Sequence, residues 1–384
     1  AEQPLMEYEA CNLGHINLST LASEDCTLWS DFDVENLDRG MDAFIDHAID
    51  LEEFHRRIDL GTRFLDNVVT MSDFPIDEIS RMVEKHRKIG FGVMGLAQLM
   101  IQLGIEYGSE AGNVFTYKII ERINKRVRLQ SHELALDRGS FDEIHKSKFD
   151  DPDEYPDYIE KYTPFEADAD RIEMRNHKVT TVAPTGTTSM IGNTSAGIEP
   201  LYNVAYMKNV TDDIQGEEEL VEFDELFVRT LEQNDIDVDV VKREAVDLMQ
   251  SGEFDGPHDL DTVPDSISDL FVTASDLSGI QHARVQAAAQ EYIESGISKT
   301  INAPNDATVD DADEAFRYLW RAGGKGVTYY RDGSRETQVL TTEQLENAYE
   351  SAEDEEDGEV VDDNESAQNG AQSHNADSDD MPMN

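Results

Sequence analysis

The chain has 384 residues, of which 39% are hydrophobic, and carries 83 acidic against 31 basic residues, a formal net charge of −52. This size and apolar content predict a globular body, while the charge disfavours nucleic acid or an anionic membrane as a partner. No apolar run approaches the roughly 20 residues that span a bilayer, and two cysteines, Cys11 and Cys26, exclude a disulfide scaffold and a four-cysteine zinc site. We therefore expect a protein of a reducing cytoplasm.

Apolar residues at alternating spacings of three and four predict a helix over residues 41–71, with Leu51 and Phe54 on its apolar face. In chain order, further helices are predicted over residues 76–88, 96–105, 114–136, 284–297 and 309–323. β-branched runs predict strands at residues 179–183, 298–304 and 325–333. Residues 211–265 are acidic and loop-rich, and we expect weaker, peripheral helices there.

Helices that alternate with short β-branched strands indicate an α/β architecture with parallel strands and helical crossovers. From residue 341 to residue 384 the sequence has almost no apolar content and no period. This composition predicts a disordered acidic tail.

The excess of acids extends beyond the tail, because acidic residues occur on every predicted helix except the one over residues 96–105. Such self-repulsion would strain a compact state in dilute buffer. Near 1 M salt the Debye length falls to roughly 3 Å, and the repulsion becomes tolerable. The composition therefore predicts a halophile whose cytoplasm contains molar salt.

The segment "GFGVMG", Gly90 to Gly95, has the glycine spacing of a dinucleotide-binding fingerprint and precedes a predicted helix. That fingerprint requires a buried strand before it, so that the turn presents the helix amino terminus to a pyrophosphate. Here the preceding residues are a charged helix. We therefore favour a close-packing glycine turn over a dinucleotide site.

The segment "APTGTTS" combines features of an anion site. The strand before it ends at Pro184, and Gly186 allows a ligand to approach the backbone closely. Thr187, Thr188 and Ser189 suit the N-cap and first turn of a helix. Free N–H groups, hydroxyls and a helix amino terminus favour phosphate, without the lysine of a P-loop. An ordinary capped turn is the alternative, and composition alone does not separate the two.

Five segments, taken in order, resemble ribonucleotide reductase, and most closely its adenosylcobalamin-dependent class. They are "EQPLMEYEACNLGHINL", "RKIGFGVMGLAQLM", "TTVAPTGTTSMIGNTSAGIEPLYN", "VQAAAQEYIESGISKTINAP" and "GKGVTYYRDGSRETQVL". The resemblance implies that residues 1–340 are the C-terminal half of the family's ten-stranded α/β barrel, followed by the tail.

The resemblance also implies site residues. In the family the pattern Asn-x-Cys-x-Glu carries a thiyl radical on its cysteine; Glu2 matches its glutamate, so the radical cysteine would directly precede Ala1. We therefore expect the chain to be a C-terminal half, from a fragment or a split or processed gene, that is inactive alone. Glu2 would be the general base, and Cys11 one member of the redox-active cysteine pair. The matched phosphate loop is Pro184, Thr185, Gly186, Thr187 and Thr188, with Ala1 and Glu2 lining the same pocket.

The partners implied by the resemblance are a ribonucleotide, adenosylcobalamin, an N-terminal half with the radical cysteine and the second redox cysteine, and a thioredoxin-type reductant. The tail lacks the cysteines with which many cobalamin-dependent reductases relay electrons, so reduction must come from another chain. No metal ligands are expected. Taken singly, Glu2 is more often a surface residue and Cys11 a small buried one, and Cys26 is expected to be structural.

Two alternatives remain. The chain could belong to the large subunit of a metal-dependent reductase with a di-iron or dimanganese partner. The adjacent Tyr329 and Tyr330 are reminiscent of that class's radical-relay tyrosines, although we expect them to be structural. Alternatively, the chain could be a phosphate-binding or assembly module without chemistry.

Overall fold

A computed structural model describes residues 2–23, 27–32, 35–208 and 220–334 of the chain. Ala1, Cys26 and the predicted tail of residues 341–384 lie outside the described residues. All described residues belong to one compact unit, Ala1–Glu343. Within the described ranges, every helix is too short or too polar to span a bilayer.

The α-helices of the described residues are, in chain order, α1 Leu37–Ala48, α2 Leu51–Met71, α3 Asp77–His86, α4 Leu96–Gln102, α5 Glu110–Arg138, α6 Pro156–Tyr162, α7 Gly186–Ile191, α8 Glu225–Gln233, α9 Val238–Ser251, α10 Asp265–Ser268, α11 Gly279–Gln290 and α12 Val309–Arg321. The strands are β1 Leu13–Asn17, β2 Gly90–Met94, β3 Ala205–Lys208, β4 Leu220–Phe223, β5 Thr300–Ala303 and β6 Thr328–Arg331.

The helix predicted over residues 41–71 is two helices. Ile49 is extended, and the Asp50 side chain accepts the backbone N–H of Glu53 at 3.0 Å. An aspartate in this N-cap position starts a new helix, here α2. The apolar residues keep their helical spacing across the boundary between α1 and α2, so the spacing alone does not reveal that the helix is interrupted. The helix predicted over residues 284–297 is α11, which ends earlier, at Gln290.

Parallel pairing joins segments that are far apart in sequence. β1 pairs with β2 from Leu13↔Gly90 to Asn17↔Met94. The ladder continues through parallel bridges of Phe91 with Thr180 and of Val182 with Ile297. β5, which follows Ile297, pairs with β6 in parallel. The helical segments between these strands make the crossovers expected of an α/β fold.

The segment "GFGVMG" is not a turn and not a dinucleotide fingerprint, so the turn prediction was wrong. Gly90–Met94 is the fully buried strand β2, and only Gly95, at φ 80°, turns the chain into α4. A Cβ on Gly90 would lie 2.7 Å from Thr181 Cγ2, and one on Gly92 would lie 2.6 Å from the Thr181 main-chain oxygen. These glycines allow neighbouring strands and side chains to approach β2 closely.

Helices α2 and α5 cover one face of this sheet and share its hydrophobic core. A second core lies around α8 and α9, where Phe227 and Phe271 pack edge to face at 5.1 Å between ring centroids. Both helices have aspartate N-caps. The described part of residues 211–265 is therefore better ordered than its acidic composition predicts.

Candidate active site

The two faces of the sheet have different neighbours. A Cβ on Gly61 of α2 would lie 2.7 Å from the Phe91 ring, and the Asn124 amide of α5 donates to the Thr180 hydroxyl at 3.5 Å. Phe91 and Thr180 therefore face the helices. Since side chains alternate along a strand, the opposite face carries Leu13, His15, Gly90, Gly92 and Thr181. We call this second set the inner face.

Glu2 is fixed on the inner face through its main chain. Its carbonyl oxygen accepts the Gly296 N–H at 2.8 Å and the Thr181 hydroxyl at 2.6 Å. Glu2 is half-buried. Both bonds use the main-chain oxygen.

Cys11 lies at the amino-terminal edge of the same strands. The Asn12 side chain donates to the Leu65 carbonyl at 2.7 Å, and the Asn12 carbonyl accepts the Gly90 N–H at 2.8 Å. The Cys11 thiol is free and exposed. An exposed thiol is accessible to an external disulfide reductant, which a redox-active cysteine requires.

The predicted phosphate loop is a strand-to-helix turn that leads into α7. Pro184, Gly186, Thr187 and Thr188 are exposed, whereas Thr185 is buried. The Thr185 hydroxyl accepts the Gly197 N–H at 2.7 Å, and the helix begins at Gly186. The prediction that Thr187–Ser189 form the N-cap and first turn placed the helix start too late.

The exposed part of this loop carries backbone donors without intrahelical acceptors. The N–H groups of Gly186, Thr187 and Thr188 are in the first turn of α7, where no intrahelical acceptor exists. A Cβ on Gly186 would meet no atom within 4 Å, so the space beside it is open. Thr185 supports the loop from behind and does not contribute its hydroxyl to this space.

Glu2 lies beside Thr181, three residues before the loop begins at Pro184, and Cys11 lies two residues before Leu13 of the neighbouring strand β1. Glu2 contacts Thr181, and the chain from Thr181 leads directly to Pro184 at the carboxyl end of its strand. Cys11 precedes β1, at the amino end.

Sequence reasoning missed two inner-face residues, Thr181 and His15. Burial lowers the pKa of His15, which favours its neutral form, and its Nε2 is buried without a hydrogen-bond partner among the described residues. A neutral imidazole can accept or donate a hydrogen bond. The alternation in "LGHIN" was the available signal, since it places Leu13 and His15 on one face.

Tyr329 and Tyr330 are successive residues of β6. Successive side chains of a strand point to opposite faces. The Tyr329 ring packs edge to face on Phe316 of α12, with 5.8 Å between ring centroids. This packing agrees with the structural role expected for Tyr329.

Residues 1–330 match the family model described as ribonucleotide reductase, barrel domain. Two curated relatives are named vitamin B12-dependent ribonucleoside-diphosphate reductase. The relative from Mycobacterium tuberculosis (strain CDC 1551 / Oshkosh) is 33% identical over 341 residues, which cover 89% of this chain and 42% of the relative. The relative from Thermoplasma acidophilum is 32% identical over 340 residues, which cover 88% and 38%.

Among solved structures, the class Id ribonucleotide reductase alpha subunit of Actinobacillus ureae matches with a TM-score of 0.55 and 20% identity. The match covers 72% of this chain and 46% of that subunit, and it shows a shared fold. The chain spans about two fifths of the length of the curated relatives named here. The predictions of an α/β fold and of a reductase barrel are confirmed.

Proposed function

The chain belongs to the ribonucleotide reductase family, and from this premise we propose that it takes part in reducing ribonucleoside diphosphates to deoxyribonucleoside diphosphates. The observation that carries the proposal is the placement of Glu2 on the inner face, bonded to Thr181 just before the strand leads into the loop at Pro184. This arrangement puts a carboxylate residue beside the strand segment that leads into an exposed loop with free backbone donors. The names of the two relatives support diphosphates as the substrates.

The proposed chemistry uses three cysteines and one carboxylate. A cysteine thiyl radical removes the 3′ hydrogen of the ribose, and Glu2 accepts the 3′-hydroxyl proton as general base. The 2′-hydroxyl leaves as water. Two thiols supply the two protons and two electrons and become a disulfide, so that the C2′–OH bond is replaced by C2′–H. Glu2 then returns its proton to the 3′ oxygen, and the radical cysteine returns the hydrogen to C3′, which regenerates the thiyl radical. Cys11 is one of these two thiols.

The proposed reaction needs more cysteines than this chain supplies, so a second polypeptide segment must take part. The chain has only Cys11 and Cys26, whereas the reaction needs a radical cysteine and a redox pair. We place the radical cysteine and the partner of Cys11 in an N-terminal part of the reductase, and a thioredoxin-type dithiol reduces the resulting disulfide. The complex of this chain with that part is called the assembled reductase.

The phosphates of the substrate are bound at the loop. The N–H groups of Gly186, Thr187 and Thr188 supply the donors, and the helix dipole of α7 favours negative charge there. Thr185 holds the loop through Gly197. Local donors are needed because a chain with a formal net charge of −52 offers an anion no long-range attraction.

Adenosylcobalamin is the proposed radical source, because both relatives are named vitamin B12-dependent. When bound, it would supply the radical chemistry that the proposed cysteine thiyl requires. The inner-face glycines do not form a cradle for a corrin ring, since Leu13 and Thr181 already fill the space beside Gly90. No residue of this chain is therefore assigned to the cofactor.

Glu2→Gln in the assembled reductase tests the proposal. We expect kcat to fall by about 10²–10⁴, the usual contribution of a general base, with little change in KM. The fold should persist, because Gly296 and Thr181 bond the main chain of Glu2. Glu7→Gln, at an exposed carboxylate of the same segment, is the matched control and should retain the parent kcat.

Two results would overturn this assignment. Full activity of Glu2→Gln together with full activity of Cys11→Ser would favour a phosphate-binding module without chemistry. Activity that depends on a di-iron or dimanganese subunit and not on cobalamin would favour the metal-dependent class.

A further inference from the structure

The carboxylate of Glu9 is buried and bound by three donors. Its side chain is 2% exposed. Oε1 lies 2.7 Å from His86 Nδ1, and Oε2 accepts Lys88 Nζ at 2.6 Å and the Met6 N–H at 2.7 Å. A buried carboxylate with this many partners fixes the segment that carries it. That segment leads directly to Cys11.

The turn closed by Glu9 is conformationally strained. The Glu9 N–H donates to the Met6 carbonyl at 3.1 Å, and between them Tyr8 adopts a φ of 62°. Residues other than glycine rarely adopt this left-handed conformation. The Tyr8 side chain is 48% exposed, so its burial does not account for the strain. The bonds of Glu9 oppose the relaxation of this turn.

Cys11 lies between two attachments to the same neighbouring segment. On one side, Glu9 is bound by His86 and Lys88. On the other, the Asn12 carbonyl accepts the N–H of Gly90 at 2.8 Å. Both attachments therefore join the Cys11 segment to residues 86–90, which lead into and begin β2. The thiol itself remains exposed between them.

We propose that Glu9, held by His86 and Lys88, is a positioning residue for Cys11 in the reductase reaction. The proposal rests on the redox role proposed for Cys11. A disulfide forms only when the two Cα atoms are about 4.4–6.8 Å apart, so a small displacement of the Cys11 segment prevents closure. The set of Glu9, His86 and Lys88 is called the Glu9 clamp.

The first measurement uses the chain as it stands and does not depend on the reaction. Glu9→Gln removes the charge that pairs with Lys88, and Glu9→Asp keeps the charge but shortens its reach. Both should accelerate amide hydrogen exchange in residues 2–12 at least tenfold, with exchange in α5 unchanged. Glu53→Gln is the matched control, because Glu53 also pairs with two cations, Arg56 and Arg57, at a distant position in α2.

The second measurement separates positioning from a merely structural role. In the assembled reductase, the equilibrium constant for forming the Cys11 disulfide in a glutathione buffer should fall at least tenfold in Glu9→Gln, equivalent to about 30 mV. Multiple-turnover kcat should fall in parallel while KM for the ribonucleotide stays unchanged. Glu9→Asp should show a smaller loss, and Glu53→Gln none.

Each contrary outcome has a distinct meaning. Faster exchange in residues 2–12 with an unchanged disulfide equilibrium and kcat would show that Glu9 only stabilises the fold, and the proposal would be wrong. Unchanged exchange would show that the Glu9 clamp does not hold the segment. Undiminished turnover by Cys11→Ser would refute the redox role of Cys11, and with it any positioning by Glu9, whatever the exchange result.

Discussion

Gly186→Val separates phosphate binding at the loop from an ordinary capped turn. A Cβ at Gly186 meets no atom within 4 Å, and the residue is exposed at the first position of α7. Substitutions at such positions change the free energy of unfolding by about 0.5 kcal/mol or less. The melting temperature should therefore stay close to that of the parent.

The open space beside Gly186 is where a phosphate must enter to reach the first-turn N–H groups. A hydrogen bond to a charged group contributes roughly 1.5–3 kcal/mol, and about 1.4 kcal/mol corresponds to a tenfold change in affinity. If the valine side chain excludes the phosphate from even one donor, KM should rise by about ten- to 150-fold. Thr187→Ala leaves the backbone donors in place and should have the smaller effect.

The assay compares KM and kcat of the assembled reductase in molar salt with thermal melts of each variant. A large rise in KM for Gly186→Val at an unchanged melting temperature supports phosphate binding. If Gly186→Val and Thr187→Ala both bind nucleotide like the parent, the loop is only a capped turn and the reasoning is wrong.

Three further predictions follow from other parts of the molecule. Cys11→Ser should abolish multiple turnover with a thioredoxin-type dithiol but leave the circular dichroism spectrum unchanged, since the side chain is exposed; sustained turnover would contradict the redox role. Thermal melts should show a large loss of stability when salt is lowered from molar to about 0.1 M, because a net charge of −52 is then less screened; a constant melting temperature would refute halophilic adaptation. Desolvation lowers the pKa of the buried Lys299 to about 7. The Lys299 ammonium therefore loses its proton at a lower pH in the folded state than in the unfolded chain. Stability relative to Lys299→Met should therefore rise between pH 7 and pH 10, by roughly 1.4 kcal/mol per unit, and denaturant titrations that show a pH-independent difference would contradict it.

The strands show which part of the fold is readable from sequence. β5 and β6 lie within the predicted ranges 298–304 and 325–333, because β-branched and aromatic residues dominate them. β1 and β2 were missed, because glycines such as Gly90 and Gly92 lower strand propensity. Their strand conformation depends on packing against distant residues such as Thr181, which local sequence does not encode.

The candidate site also has features that the sequence predicts and features that only the structure reveals. Glu2, Cys11 and the loop could be proposed from resemblance and residue chemistry, but the start of α7 could not, because the Thr185 hydroxyl is used by Gly197. The contact of Glu9 with His86 spans 77 residues. Nothing near Glu9 in the sequence identifies that partner, so only the folded structure reveals it.

Product formation by the assembled reductase tests the central claim most directly. The mixture contains a ribonucleoside diphosphate, a dithiol reductant and molar salt, with or without adenosylcobalamin and with no metal-containing subunit. We predict that deoxyribonucleoside diphosphate forms only when the cofactor is present, and that Glu2→Gln reduces its rate by about 10²–10⁴. Failure to form deoxyribonucleotide with the cofactor, or an equal rate from Glu2→Gln, would contradict the account.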